Sequence, residues 1–489
     1  MGAAKEPTHH KLDFSTFHNV INNQLTDTKQ KRNGTNPTTE EALPDVPVST
    51  QQDVDNAVHA AKTAFESWRE LSWDERAEYM LEFADALEAN QEGLLQLLMK
   101  ETGKAVNPAT IEFNMTVRHL RVTAKLRIPD DVVTDTPELK QVVRLSPLGP
   151  AVGIVPWNLP ILLGVVKLSP AVLTGNTIIW KASPFTPYSA LKFVELAAKI
   201  FPPGVVQALS GGDELGPMLT AHPDIAKIAF TGSTATGKRI MESAANGFKR
   251  INLELGGNDA AIVCDDVDIA KVIPNISIFS FLNAAQICMA IKRLYVHESI
   301  YDDFVAQMAA FVQNNMKLGG AGDPAAMVGP LQNRMQYEKV KDLFASVQNS
   351  GYETALGSNF PKEKVPDKGF FLPPTMVLNP PDDSRIVVEE PFGPIMPILK
   401  WRDEEEVLKR ANDTNMGLGA SVWTKDMDRG RRIADKLEAG TVWINSHFEL
   451  VSEMPFGGFK WSGIGVDSGV EGLRGWCNVQ ALWIRAPPA

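Results

Sequence analysis

The sequence predicts an α/β fold in two domains, and three observations carry that expectation. Its 489 residues exceed what one hydrophobic core supports. Strand-like runs alternate with runs of helical period, the pattern of a parallel sheet with helices on both faces, Rossmann-like in architecture. The alternation comes in two series, one from Asn176 to about Leu253 and one from near Asp259 to about Val442.

Taken in order, residues 1 to about 50 read as irregular structure with short strands. Asp53 to Trp68 places Val54, Val58, Ala61, Phe65 and Trp68 at helical spacing. Ser72 and Glu75 form a capping-box pattern opening one further helix that runs through Leu98. Leu139 to Leu145 and Ala151 to Val155 read as strands. In the first series, Thr177 to Trp180, Val205 to Leu209, Ile225 to Phe230 and Arg250 to Leu253 are strands. Ser189 to Lys199 and Thr236 to Ala244 are helices. The crevice between the two series falls near Glu254 to Cys288.

Composition excludes several function classes. Hydrophobic content of 44%, charged content of 22% and a net charge of -11 describe an ordinary acidic globular chain. That charge argues against nucleic acid or an anionic membrane as the main partner. No apolar run is long enough for a membrane span. Met1-Gly2 resembles a myristoylation start, but Glu6 stands where Ser or Thr is needed. The C-terminus, Arg485-Ala486-Pro487-Pro488-Ala489, carries no sorting address. Three cysteines, Cys264, Cys288 and Cys477, are too few for a disulfide framework and fit a reducing, cytoplasmic setting. No metal site is expected.

The chemistry concentrates in two segments. Cys288 ends the run Gln286-Ile287-Cys288, and Glu254 opens Glu254-Leu255-Gly256-Gly257. A thiol that attacks a carbonyl carbon divides one hard reaction into two easier ones. A nearby carboxylate can take the proton of the water that releases the product. Alone, such a Cys is as readily a small core residue, and such a Glu a strand end.

Further motifs stand in order along the chain: Pro156-Trp157-Asn158, Lys181-Ala182-Ser183, Phe230-Thr231-Gly232-Ser233-Thr234, Glu390-Pro391-Phe392-Gly393-Pro394 and Pro455-Phe456-Gly457-Gly458. With Cys288 and Glu254, these resemble the NAD(P)-dependent aldehyde dehydrogenase superfamily over nearly the whole chain. The resemblance implies oxidation of an aldehyde to a carboxylic acid through a thioester on Cys288. Glu254 then serves as the base for its hydrolysis and Asn158 as the oxyanion donor. Asp467 stands where the family often has a Glu that assists proton transfer, one methylene shorter. Cys264 and Cys477 lack such flanks and read as structural.

For the cofactor, NAD or NADP, the resemblance implies contacts from Ile154, Pro156, Trp157, Lys181, Ser183, Gly212, Phe230, Gly232, Ser233, Glu254, Leu255, Gly256, Glu390 and Phe392. No G-x-G-x-x-G fingerprint opens the first βα turn. Gly232-Ser233-Thr234 follows a strand and opens a helix, where amide groups can meet a diphosphate, though the same turn also serves as a plain helix start. The family commonly has a Glu three residues after Lys181, holding a ribose hydroxyl. Here that residue is Pro184, which neither binds a 2′-hydroxyl nor repels a 2′-phosphate, and so leaves NADP open beside NAD. Ala285 replaces the Gly that commonly precedes Gln286. If the backbone there has positive φ, Ala costs about 1 kcal/mol.

Leu159, Leu163, Val166, Ile287, Met289 and Phe448 are the expected substrate-lining positions, an aliphatic wall with no evident Arg. An apolar aliphatic or aromatic aldehyde fits it best. Gln141 to Leu148 and Val479 to Arg485 are strand-like and fit neither series. In the resembled family such segments form an arm that pairs with a neighbouring subunit, which implies a homodimer or homotetramer.

The expected division is therefore 1–128 with 148–256 for cofactor binding and 257–458 for catalysis. Residues 129–147 with 475–489 form a small β oligomerisation arm, and 459–474 a tail returning across the interface. Two rival readings are a CoA-acylating enzyme, whose kind generally lacks the base at Glu254, and a catalytically silent structural homologue.

Overall fold

A computed structural model describes residues 11–357 and 361–487. The N-terminal segment Met1–His10 and the final Pro488-Ala489, with the sorting readings that rest on them, lie outside the described residues.

Two sheets organise the chain. The first has eight strands, in the order Gln24–Thr26, Asn19–Ile21, Val206–Leu209, Thr177–Lys181, Pro150–Ile154, Lys227–Thr231, Arg250–Glu254 and Gly463–Ile464. Its five central strands are parallel, and both flanks are antiparallel additions. The second has seven strands, with Asp259–Val263 and Ile291–His297 paired in parallel near its centre. Parallel strands need crossovers, and the helices between them cover the faces. Buried apolar side chains fill both faces of the first sheet and a separate core around the second.

The region before residue 50 is more ordered than the sequence indicates, because Asn19–Ile21 pairs with Val206–Leu209 and so joins the first sheet. The helix expected from Ser72 to Leu98 is two helices, Trp73–Ala89 and Gln91–Thr102. The break is Asn90, at φ -108° and ψ 13°, whose side chain donates back to the Ala86 carbonyl at 2.9 Å. Both expected capping residues are in place, with Ser72 and Glu75 bonding each other's backbone. Lys181 is the last residue of its strand rather than the first after it. Two helices near the site, Val106–Thr123 and Pro160–Leu173, escape the sequence pattern: the second is buried nearly all round and carries little periodicity, and the first fills its buried face with polar Glu112, Thr116, His119 and Thr123 among the apolar side chains.

Cys477–Arg485 pairs antiparallel with Leu139–Pro147, which pairs in turn with Asp131–Asp135. This three-stranded sheet stands apart from the other two. Val133, Val479, Trp483 and Ile484 on it are exposed.

One contact in the first domain is especially tight. A Cβ at Gly164 would sit inside the indole of Trp180, a residue only 1% exposed. Gly164→Ala is expected to lower stability by about 1–3 kcal/mol through overpacking, read as a fall in thermal midpoint.

Candidate active site

The two sheets meet where Glu254 ends its strand and Gly256-Gly257 lead into the second domain. The tail closes this junction. Gly463 and Ile464 add to the edge beside Glu254 and Leu253. The Ser462 carbonyl accepts from Leu255 N at 2.8 Å. The Ser462 hydroxyl donates to the Gly256 carbonyl at 2.6 Å and accepts from Gly417 N at 2.9 Å. Gly257 lies so close to the Cys288 carbonyl that a side chain there would collide with it.

Cys288 is half-buried at the end of a strained turn. Asn283, Ala284 and Ala285 run consecutively left-handed, at φ 55°, 53° and 56°. Gln286 pins the turn, donating to the carbonyls of Asn283 at 3.0 Å and Pro330 at 3.1 Å and accepting from Gln332 N at 2.8 Å. Ala285 thus occupies the backbone conformation that glycine favours. Burial pushes its thiol neighbour Cys288 up to about 12, with Lys292 opposing the shift and Glu390, Asp259 and Glu254 adding to it. In this state Cys288 is a thiol, and the thiolate needs added positive charge or an acceptor for its proton. Cys264 and Cys477 are buried and unpaired.

Asn158 does not cap the helix that follows; its Nδ2 donates to the Gln286 carbonyl at 2.9 Å, leaving a second N–H for another acceptor. The helix Pro160–Leu173 is capped instead by Glu112, whose Oε1 accepts from Ile161 N at 3.1 Å and Leu162 N at 3.3 Å. Glu112 is paired with Lys104, whose ammonium also holds the Asn158 carbonyl at 2.6 Å. This buried pair, unmarked by any motif, sets where Asn158 points.

Glu254 is 4% exposed, and neither carboxyl oxygen has a hydrogen-bond partner among the described residues. Burial first, and the charge of Asp467 second, push it well above the usual carboxylate range, with Lys167 opposing. Lys167 donates to Thr231 Oγ1 at 2.7 Å and lies 3.4 Å from Asp467 Oδ2. Asn252 donates to Asp467 Oδ1 at 2.6 Å. Asp467 is therefore a buried neighbour of Glu254 but not bonded to it. Lys167 carried a readable signal, being the lone charge in the apolar helix Pro160–Leu173.

A tunnel of about 1220 Å³, counting its open mouth, runs to Cys288, Glu254 and Asp467. Leu159, Leu163, Val166, Ile287, Met289 and Phe448 all line it. So do Arg118 and His119, which corrects the expectation of a wall without Arg. Both sit on the helix Val106–Thr123, far in sequence from every motif. His119 is buried and pushed down to about 4 by desolvation, so it is neutral; its Nδ1 meets Ser452 Oγ at 3.0 Å.

On the other side of Cys288, the expected cofactor residues gather at the carboxyl ends of the first sheet. Ile154, Lys181, Phe230 and Glu254 end neighbouring strands or nearly so, with Pro156, Ser183, Gly212, Gly232, Leu255 and Gly256 in the turns beyond. Lys181 is buried, its ammonium donating only to the Ala182 carbonyl, at 3.2 Å, among the described residues. Desolvation pushes it down to about 8. Ser233 caps the helix Thr234–Ala245, accepting from Thr236 N. Trp157 and Phe392 meet edge to face at 5.4 Å. Glu390 is no solvated acid, since its Oε1 lies 3.1 Å from Lys292 Nζ and accepts from Gly257 N at 3.2 Å. A buried ammonium with N–H groups to spare, an aromatic pair and a helix N-terminus along one groove fit a dinucleotide.

Comparison with known proteins settles the family. The profile of the aldehyde dehydrogenase family matches residues 25–482. The chain belongs to the aldehyde dehydrogenase family. It is 38% identical over 473 residues to aldehyde dehydrogenase LUC3 of a Fusarium species, covering 97% of this chain and 100% of that one. It is 37% identical to human retinaldehyde dehydrogenase 3, covering 95% and 92% of the two chains. The NAD+ complex of aldehyde dehydrogenase from Bacillus cereus superposes with a TM-score of 0.92 at 34% identity, covering 96% of each chain. Betaine aldehyde dehydrogenase of Staphylococcus aureus in complex with NAD+ gives 0.93 at 30%, covering 97% and 96%.

The left-handed turn before Cys288 makes its own prediction. Ala285→Gly should raise stability by about 0.5–1 kcal/mol by removing left-handed strain, seen as a later midpoint in denaturant. An unchanged or earlier midpoint would mean that the added freedom of the unfolded glycine outweighs that strain.

Proposed function

We propose that this aldehyde dehydrogenase oxidises an apolar aliphatic or aromatic aldehyde to its carboxylic acid through a covalent intermediate on Cys288. The observation that carries the reading is Glu254, a buried carboxyl whose two oxygens have no hydrogen-bond partner among the described residues, in the same tunnel as the thiol. Once its proton has passed to solvent, the Cys288 thiolate attacks the aldehyde carbon through Sγ, and the carbonyl π pair moves onto oxygen. The oxygen that becomes negative lies within reach of the free Asn158 N–H and the Cys288 backbone N–H, whose donors are typically worth roughly 10² to 10³ in rate each. A nicotinamide dinucleotide, NAD or NADP, supplies the hydride acceptor when bound. Lys181, Ser233, Glu390 and the Trp157–Phe392 pair would hold it. Water then attacks the thioester carbon, Glu254 takes its proton, and the Cys288 sulfur leaves as the acid departs.

The apolar lining favours a hydrocarbon-rich aldehyde. The presence of Glu254 favours hydrolysis over transfer to CoA, and the joint presence of Cys288, Asn158 and Glu254 counts against a silent homologue. The same reading divides the chain into a cofactor domain (1–128 and 148–256), a catalytic domain (257–458), an arm (129–147 and 475–489) and the returning tail (459–474). It places the protein in the cytoplasm, in keeping with three unpaired thiols.

Cys288→Ala is expected to abolish reduction of NAD or NADP by any aldehyde, followed by absorbance at 340 nm; dehydrogenase activity surviving in that variant overturns the reading. Glu254→Gln should leave a burst of reduced cofactor and then slow turnover. Because Glu254 must ionise to accept a proton and its burial raises the pH at which it does so, parent deacylation should climb with pH well above the ordinary carboxylate midpoint of about 4.3. That limb should vanish in Glu254→Gln.

Pro184 beside Lys181 favours tolerance of a 2′-phosphate. NADP should turn over within about tenfold of NAD, or about 1.4 kcal/mol, and Pro184→Glu should move preference toward NAD. A thousandfold exclusion of NADP by the parent contradicts this.

The exposed three-stranded sheet supports a homodimer or dimer of dimers, since uncovered strands and apolar side chains invite pairing. Removing residues 479–489 should lower the mass seen by light scattering and increase binding of an apolar dye. A stable, active full-length monomer rules out the assembly.

A further inference from the structure

The nucleophile and the cofactor groove share one buried cation. The strand Ile291–His297 begins with Lys292 and Arg293, both about 2–3% exposed. Arg293 is engaged by the carbonyls of Asn258, Arg410 and Ala411, a structural role. Lys292 has a different setting. Its ammonium donates to the carbonyl of Cys288 and lies 3.1 Å from Glu390 Oε1. Glu390 Oε1 is held in addition by Gly257 N at 3.2 Å, and the missing side chain of Gly257 makes the room for the Cys288 carbonyl. The nucleophile's backbone and the groove's carboxylate are thus fixed to one another through a single side chain.

The next carbonyl is held too, by a neutral group. His447 Nε2 donates to the Met289 carbonyl at 2.8 Å, and its Nδ1 accepts from Ser421 Oγ at 3.0 Å. Desolvation pushes His447 down to about 4, so it brings no charge. Asp259 is also buried here, its Oδ2 3.9 Å from His447 Nε2 and neither carboxyl oxygen with a side-chain hydrogen bond among the described residues, and burial pushes it up to about 7. Lys104, Glu112, Arg118, His119 and Asp467 line the tunnel that reaches the thiol, while the groups whose charge bears most on it are Lys292, Glu390, Asp259 and Glu254, with His447 behind Met289. Lys292 is the one cation among these last five. A buried ammonium beside a thiol favours the thiolate, while each carboxylate opposes it.

We propose that Lys292 is a positioning residue that couples cofactor seating to the nucleophile, holding the Cys288 backbone against the Glu390 carboxylate and supplying the positive charge beside which the thiolate forms. This rests on the reading of Cys288 as nucleophile and of Glu390 as a cofactor contact. Glu390 partly neutralises the ammonium while it is bound to it. A ligand that draws Glu390 toward itself leaves more of the Lys292 charge for the sulfur, so cofactor binding raises thiol reactivity.

The test follows Cys288 without needing turnover. Iodoacetamide labelling of Cys288 is measured by peptide mass against pH, without cofactor and with NAD, for the parent, Lys292→Met, Lys292→Arg and Glu390→Gln. NAD affinity is measured by calorimetry on the same proteins. Lys292→Met should move the labelling midpoint up by about one pH unit, a tenfold slower reaction near neutrality, and should weaken NAD binding several-fold. Lys292→Arg, which keeps the charge, should recover the labelling profile. Glu390→Gln, which frees the ammonium, should speed labelling without cofactor and erase the acceleration by NAD. If Lys292→Met does not fold, the Arg and Glu390→Gln arms still decide. A folded Lys292→Met with the parent's labelling midpoint and NAD affinity, or a Glu390→Gln protein that labels more slowly, overturns the proposal. Activity retained in Cys288→Ala would instead remove the reading beneath it, a result that the labelling profiles do not mimic.

Discussion

Ser462 makes the contact on which the site depends. Glu254 ends a strand of one sheet, and Cys288 precedes a strand of the other. Separate cores hold these sheets, and hydrogen bonds such as Asn158 to the Gln286 carbonyl at 2.9 Å tie them beside Cys288. The hydroxyl of Ser462, wholly buried, bonds Gly256 from one side and Gly417 from the other. Gly463–Ile464 meanwhile completes the edge beside Glu254. A tail segment of a few residues thereby helps to hold Glu254 and Cys288 at one junction. Side chains at Gly256 or Gly257 would strike Glu390 or the Cys288 carbonyl, so the close approach is built into the backbone.

Charge is concentrated around that gap at an energetic cost. Lys104 with Glu112, Lys167 with Asp467, and Lys292 with Glu390 are all largely buried. Buried pairs seldom add net stability, because desolvation offsets their attraction. Each of these pairs orders a group at the site. The first fixes Asn158 and the helix start beside it, the second biases Glu254, and the third grips the Cys288 carbonyl. The left-handed run Asn283–Ala285 belongs with them as local strain held in place by surrounding bonds. Glu254 and Asp259 both keep their carboxyl oxygens without a hydrogen-bond partner among the described residues.

The chemistry-bearing side chains were legible along the chain because each sits in a short run whose residue types have a stated reason. Cys288 follows a turn rich in small residues, Glu254 precedes two glycines, and Ser233 opens a helix. Strand and helix alternation was legible for the same reason, since period-2 and period-3.6 patterns are local. Where burial on all sides erased the period, as in Pro160–Leu173, the helix could not be read, and Asn90 broke a helix through a single residue's conformation.

Sequence alone determined the family, the α/β class and the apolar character of six tunnel positions. Only the tertiary structure decided that Arg118 and His119 share that tunnel, that Asn158 turns to Gln286 instead of capping a helix, and that Lys292 spans Cys288 and Glu390. The physical reason is separation. Lys104 and Asn158, or Glu254 and Asp467, lie on different elements, and neither propensity nor spacing along one element records which side chains two packed sheets bring to the same point.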